Sequence, residues 1–145
     1  MQLFETEICQ VLRRNRVYLA RTTLISCKLG CSQLVRTLIE NETFDADFVD
    51  DKTGDDGFQE AVANNYDGLV QFLLEKGPFR NVNRRNFRGE TAILKWLRKN
   101  MSLPNASKIM FQLLIKCKQI DLDIGDCYGH TPLMLAVRTG LAFWF

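Results

Sequence analysis

The stretch Asp126-Cys127-Tyr128-Gly129-His130-Thr131-Pro132-Leu133-Met134-Leu135-Ala136-Val137-Arg138-Thr139-Gly140 decides how the chain is read. Its Thr-Pro pair opens a helix: a threonine hydroxyl can accept from free backbone amides, and a proline in the first turn has no amide to leave unpaired. Small Ala136 in mid-helix lets a second helix approach closely, and Gly140 ends the helix in a left-handed turn.

Working upstream, the pattern returns in phase. Asn86 to Asn100 repeats it around Gly89 and Thr91, and Asp51 to Asn65 repeats it more weakly around Gly54 and Ala61. A second signature, two apolar residues ahead of a double aliphatic, follows each time. It reads Leu34-Val35 with Leu38-Ile39, Leu69-Val70 with Leu73-Leu74, and Ile109-Met110 with Leu113-Leu114. From double aliphatic to the next glycine the step is 16 residues in each case: Leu38 to Gly54, Leu73 to Gly89, Leu113 to Gly129. The return step is 19 from Gly54 to Leu73 and 24 from Gly89 to Leu113, which locates a five-residue insertion near Met101 to Asn105. Pro104 lies inside it, as suits a loop.

These segments resemble ankyrin repeats, whose Thr-Pro-Leu-x-x-Ala signature stands at Thr131 to Ala136. The resemblance covers residues 21–145 and implies an all-α solenoid of stacked antiparallel helix pairs, with strand nearly absent and helix well above the usual third. The expected division is an N-terminal capping helix over residues 1–20, repeats at 21–50, 51–85 and 86–125, and a partial repeat at 126–145. Phe4, Ile8, Val11 and Leu12 give the cap its apolar face, followed by Arg13, Arg14 and Arg16. Gly30 and Asn65 are expected to end helices as Gly140 does.

Some residues depart from the pattern. Gln59, Leu94 and Met134 stand where a histidine is usual. Trp96 and Leu97 stand where small residues are expected, and overfilling a core costs roughly 1–3 kcal/mol. That helix pair is therefore expected to splay or shift around the indole. The final Leu141-Ala142-Phe143-Trp144-Phe145 begins a second helix and stops, so the chain is expected to be a fragment of a longer array or to have its end covered by another molecule.

Composition narrows the function. The 145 residues are 46% hydrophobic, which excludes disorder, and 19 basic against 17 acidic side chains give no global pull toward nucleic acid. Apolar runs are too short to span a membrane, and the start lacks a signal-peptide pattern. Five cysteines with no CxxC pair fit free thiols in a reducing compartment, so the expected location is the cytoplasm, with the nucleus also open. One histidine and scattered cysteines make no zinc set, and no cofactor or metal is expected. The acids from Asp45 onward fail the calcium-loop template, since Val49 and Asp50 fall at its fifth and sixth positions. His130 has no catalytic partner nearby in sequence and reads as a contact residue rather than a catalyst.

Charge is distributed by repeat. Glu42 to Asp56 holds seven acids and one lysine, while the next loop holds Arg80, Arg84, Arg85 and Arg88 with no acid before Glu90. Neighbouring loops of opposite sign either neutralise one another or offer a bipolar groove to a partner. The resemblance implies a protein–protein interaction module without catalysis, contacting another protein through projecting loops and inner helices. By register its contact residues are Lys52, Thr53 and Asp55; Phe87, Arg88 and Glu90; and Cys127, Tyr128 and His130. Arg84 and Arg85 are the expected contacts for an acidic partner. Within the family the irregular repeats are similar to those of NF-κB inhibitor-like proteins, which implies an adaptor or inhibitor. They are also similar to the cytoplasmic ankyrin part of insect transient-receptor-potential channels, which implies a segment of a larger channel or receptor. Nucleic acid is not an expected partner.

Overall fold

The structure, a computed structural model, describes residue 7, residues 15–100 and residues 107–140. The expected insertion at Met101 to Asn105, most of the N-terminal cap and the final aromatic segment lie outside the described residues. Among the residues described from 15 onward there are seven helices: α1 (Arg16–Leu29), α2 (Ser32–Glu40), α3 (Gly57–Ala63), α4 (Asp67–Lys76), α5 (Ala92–Asn100), α6 (Lys108–Lys116) and α7 (Pro132–Thr139). Among the described residues the only β pairing is an isolated bridge between Val49 and Asp56. Successive odd-numbered helices pack side by side as an inner layer, and α4 packs on α6 in an outer one. Helix α1 runs unbroken through the expected 20/21 boundary.

Local chemistry explains the hairpins. Gly30 (φ 70°), Asn65 (φ 59°) and Gly140 (φ 74°) all adopt the left-handed conformation expected of them. In the first repeat the Gly30 amide donates to the Cys27 carbonyl and the Cys31 amide to the Ser26 carbonyl; in the second, Asn65 donates to Val62 and Tyr66 to Ala61. The same double closure ends both helices and turns the chain back.

Helix starts are less uniform than the sequence suggests. Thr131 accepts from the Met134 amide, as a threonine cap should. In the second repeat Asp56 takes that part: it accepts from the Gln59 amide while the Gln59 side chain accepts from the Asp56 amide. This reciprocal pair explains why Gln59 occupies the usual histidine position. The Thr91 hydroxyl is buried and has no hydrogen-bond partner, so it does not cap α5.

The core runs through both layers, from Val35 and Phe58 through Val70 and Leu94 to Leu114 and Ala136. Trp96 is fully buried. Its indole nitrogen donates to Asn65 Oδ1 at 2.6 Å, and its ring lies 5.8 Å from that of Phe111 on α6. The backbones of α1 and α2 approach closely, as do those of α3 and α4, but α5 and α6 do not. The rings of Trp96 and Phe111 lie between that pair, which is joined by seven residues rather than by the two or three of the other pairs.

Candidate protein-interaction surface

Three polar turns project beside the inner helices, each built on one side-chain acceptor. Asp50 Oδ1 accepts from the Lys52 and Thr53 amides, Asn86 Oδ1 from Arg88 and Glu90, and Asp126 Oδ1 from Tyr128 and His130. Backbone pairs close the turns between Asp50 and Asp55, Asn86 and Glu90, and Asp126 and His130. The first turn is therefore one residue longer than the others, and Asp50 rather than Asp51 anchors it.

Glycine is required in these turns for two reasons. Gly54, Gly89 and Gly129 have φ of 73°, 73° and 79°, where a side chain is strained. Neighbouring turns also touch: the Phe87 amide donates to the Thr53 carbonyl at 3.0 Å, and the Phe87 ring covers Gly54. A Cβ on Gly89 would stand 2.9 Å from the Cys127 nitrogen. The turns thus stack as the helices do.

Stacking sorts the expected contact residues. Lys52, Thr53, Arg88 and Cys127 are exposed, Phe87 and Tyr128 retain 69% and 77% of their surface, and His130 is half-buried. Arg85 is exposed but donates to the Gly89 carbonyl, and Arg84 donates to the Asp47 carbonyl at 3.0 Å with the Asp47 carboxylate 3.9 Å away. Part of the arginine loop's polarity is thereby spent on the acidic loop beside it. Asp55 and Glu90 correct the sequence reading, since both are buried. They occupy the position just before the helix start, where the turn folds inward, and internal cations hold them there.

That inward position belongs to a polar spine the sequence reading missed. Lys95 Nζ lies 2.7 Å from Asp55 Oδ2 and 3.3 Å from Glu60 Oε1. Asn86 Nδ2 donates to both Asp55 and Glu90. Arg98 then pairs its Nε with Glu90 at 3.1 Å and its Nη2 with Asp126. Burial pushes the Asp126 carboxyl up, but the His130 and Tyr128 amides outweigh it and hold the group below its ordinary value. For Asp50 the Lys52 amide dominates, with the same direction. Asp56 goes the other way, raised by burial to about 6. Nearby, burial pushes the Cys27 thiol up to about 12, which leaves it an inert core group. The register could have revealed the spine: Asp55 and Glu90 share one position, and Lys95 and Arg98 lie one helical turn apart on α5.

Among the described residues no cluster of histidine, cysteine and acids could hold a metal, and no helix is long and apolar enough to cross a membrane. The arrangement offers exposed, chemically varied tips on a rigid frame, which suits contact with another molecule.

Comparison with known proteins agrees. The family model for ankyrin repeats (3 copies) matches residues 58–143. The mouse (Mus musculus) B-cell lymphoma 3 protein homolog is 32% identical over 112 residues, covering 77% of this chain and 23% of that protein. The chain thus spans under a quarter of this relative's length. The crystal structure of the ankyrin repeat domain of Bcl-3, described as a unique member of the IkappaB protein family, aligns with TM-score 0.66 and 27% identity, over 84% of this chain and 49% of that one. A chain in the crystal structure of the yeast ribosomal protein Rps3 in complex with its chaperone Yar1 aligns with TM-score 0.71 and 18% identity, over 87% and 89% of the two chains. With its turns, helix pairs and family match in agreement, this chain belongs to the ankyrin-repeat family, whose members are non-catalytic protein-interaction modules.

Proposed function

We propose that this chain is an adaptor or inhibitor that binds one protein partner through its stacked turns and inner helices. The observation that carries the reading is the row of exposed tips, Lys52 and Thr53, then Phe87 and Arg88, then Cys127 and Tyr128, on turns whose own polar groups are already satisfied. Such tips cost little to order on binding, because the frame is ordered beforehand. Aromatic and arginine side chains at the centre of the row are the types that dominate binding energy. The IkappaB description of the Bcl-3 neighbour and the chaperone complex of the yeast neighbour support the idea of blocking or escorting a protein. A cytoplasmic or nuclear site of action belongs to the same proposal, and so does the absence of a nucleic-acid partner. A second reading, a module working inside a longer polypeptide, is supported by the mouse relative, of which the match spans 23%.

Photo-crosslinking tests the main reading. A crosslinker placed at residue 52 or 127 should trap one discrete protein from cell extract, and adding Phe87→Ala with Tyr128→Ala should abolish the adduct while the melting temperature stays put. Only diffuse, concentration-dependent adducts from both positions would sink it.

A further inference from the structure

The inner helices have a charge bias that the whole chain lacks. From Arg21 onward they carry Arg21, Lys28, Lys95, Arg98, Lys99 and Arg138 against a single acid, Glu60, which is buried beneath Lys95. Lys95 and Arg98 are committed to the spine. Lys28, Lys99 and Arg138 are exposed, and among the described residues no carboxylate forms an ion pair with any of them.

Register aligns Lys28 and Arg138 across the layer, while Lys99 lies one position later in its repeat. Lys28, Ala63, Arg98 and Arg138 each stand two residues before the last residue of their turn or helix, at Gly30, Asn65, Asn100 and Gly140. Ala63 leaves a gap at the second inner helix, and Lys99 fills it: its ammonium lies 2.9 Å from Asn64 Oδ1, so the charge sits over α3. Positive charge outside the spine therefore stands over the first, second and fourth inner helices, with Lys28 near enough to Asp50 to favour its charged form without an ion pair. Beside Arg138 a hollow of about 280 Å³ opens between Arg98, Tyr128, His130 and Leu135. Its walls offer an aromatic ring and an apolar floor next to the cation.

We infer that this face of the inner layer binds an extended acidic peptide segment of the partner, its carboxylates on Lys28, Lys99 and Arg138 and an apolar side chain in the hollow beside Tyr128. The inference rests on the interaction-module reading above and names the chemistry of its ligand. Packed helices lie ~8–10 Å apart, and extended chain rises ~3.3 Å per residue, so one helix step equals about three residues. Acids spaced by three and then by six residues match the three cations. Nucleic acid fits less well. A phosphate at every nucleotide would also meet the exposed carboxylates of Asp45, Asp47 and Asp51 on the neighbouring loop.

The test uses the full chain and fluorescein-labelled twelve-residue peptides in low salt, read by anisotropy. One peptide carries Glu at positions 1, 4 and 10 with a Phe at position 12. The second is its reverse, and a third has the same composition with the three Glu contiguous. A lysine-for-glutamate peptide and a single-stranded DNA dodecamer complete the set. The spaced acidic peptide, in one of its two directions, should bind at least tenfold tighter than the contiguous isomer. That binding should fall at least tenfold in the triple variant Lys28→Glu, Lys99→Glu, Arg138→Glu. A neutral triple variant with Gln at the same positions should fall between, and circular dichroism melting should leave all three proteins alike. Equal binding of the spaced and contiguous isomers, no acidic binding, or tighter binding of the DNA would each overturn the inference. A protein crosslinked through residues 52 and 127 that holds the triple variant as well as the parent overturns it too, while leaving the adaptor reading in place.

Discussion

In the second repeat Ala61 occupies the mid-helix position that Trp96 occupies in the third, and both side chains are fully buried. Around Ala61 the helix pair comes together closely; around Trp96 the pair stands further apart and the indole faces Phe111. Yet the turn that precedes each helix is anchored on one side-chain oxygen in both repeats, although the earlier turn is one residue longer, and the polar spine passes through both repeats without a break. The difference teaches that stacking register here is held by turns and buried ion pairs, while the width of each helix pair is free to follow its core. A solenoid tolerates this because each repeat has to match only its neighbours.

Removing the indole is the largest way to break that comparison. Trp96→Ala should cost roughly 3–5 kcal/mol, the range for emptying a large aromatic site, and it also leaves Asn65 Oδ1 without its donor. Urea titration followed by circular dichroism measures it; a loss below about 1 kcal/mol would mean that the pair closes into the second repeat's geometry.

A smaller effect sharpens the claim about turns. Gly89→Ala and Gly129→Ala both put a side chain at positive φ, a strain of about 1–2 kcal/mol. Only the Gly89 Cβ would meet a neighbouring turn, 2.9 Å from the Cys127 nitrogen, whereas the Gly129 Cβ has open space. Gly89→Ala should therefore lower the urea midpoint more than Gly129→Ala. Equal shifts would show that turn-on-turn stacking contributes nothing beyond backbone conformation.

The smallest effect depends on pH. Burial raises Asp56 from 3.8 to about 6, so the contribution of this group is present below pH 3.8 and is lost as pH rises through about 6. Asp126 is lowered, so its contribution is present above 3.8 and is lost on acidification through its folded value. Asp56→Asn keeps a capping oxygen and removes the buried charge. It should raise the melting temperature by roughly 2–4 °C near pH 7 and change it little near pH 4. A uniform shift at both pH values would assign the effect to capping instead.

The sequence by itself determined the repeat register, the left-handed helix ends at Gly30, Asn65 and Gly140, the three turn glycines and the unusual bulk at Trp96. Those features are local: a left-handed residue, a helix cap or a fixed apolar period acts within one repeat and leaves its mark in spacing. Tertiary structure alone decided which polar side chains face a partner. Asp55 and Lys95 meet across 40 residues, and Asp126 and Arg98 across 28, so their pairing exists only once the repeats stack. A charge in sequence carries no record of burial. Asp55 and Glu90 therefore read as surface acids and fold as internal ones. Conversely, Lys28, Lys99 and Arg138 are far apart in the chain, and only the side-by-side packing of the inner helices brings them into one layer.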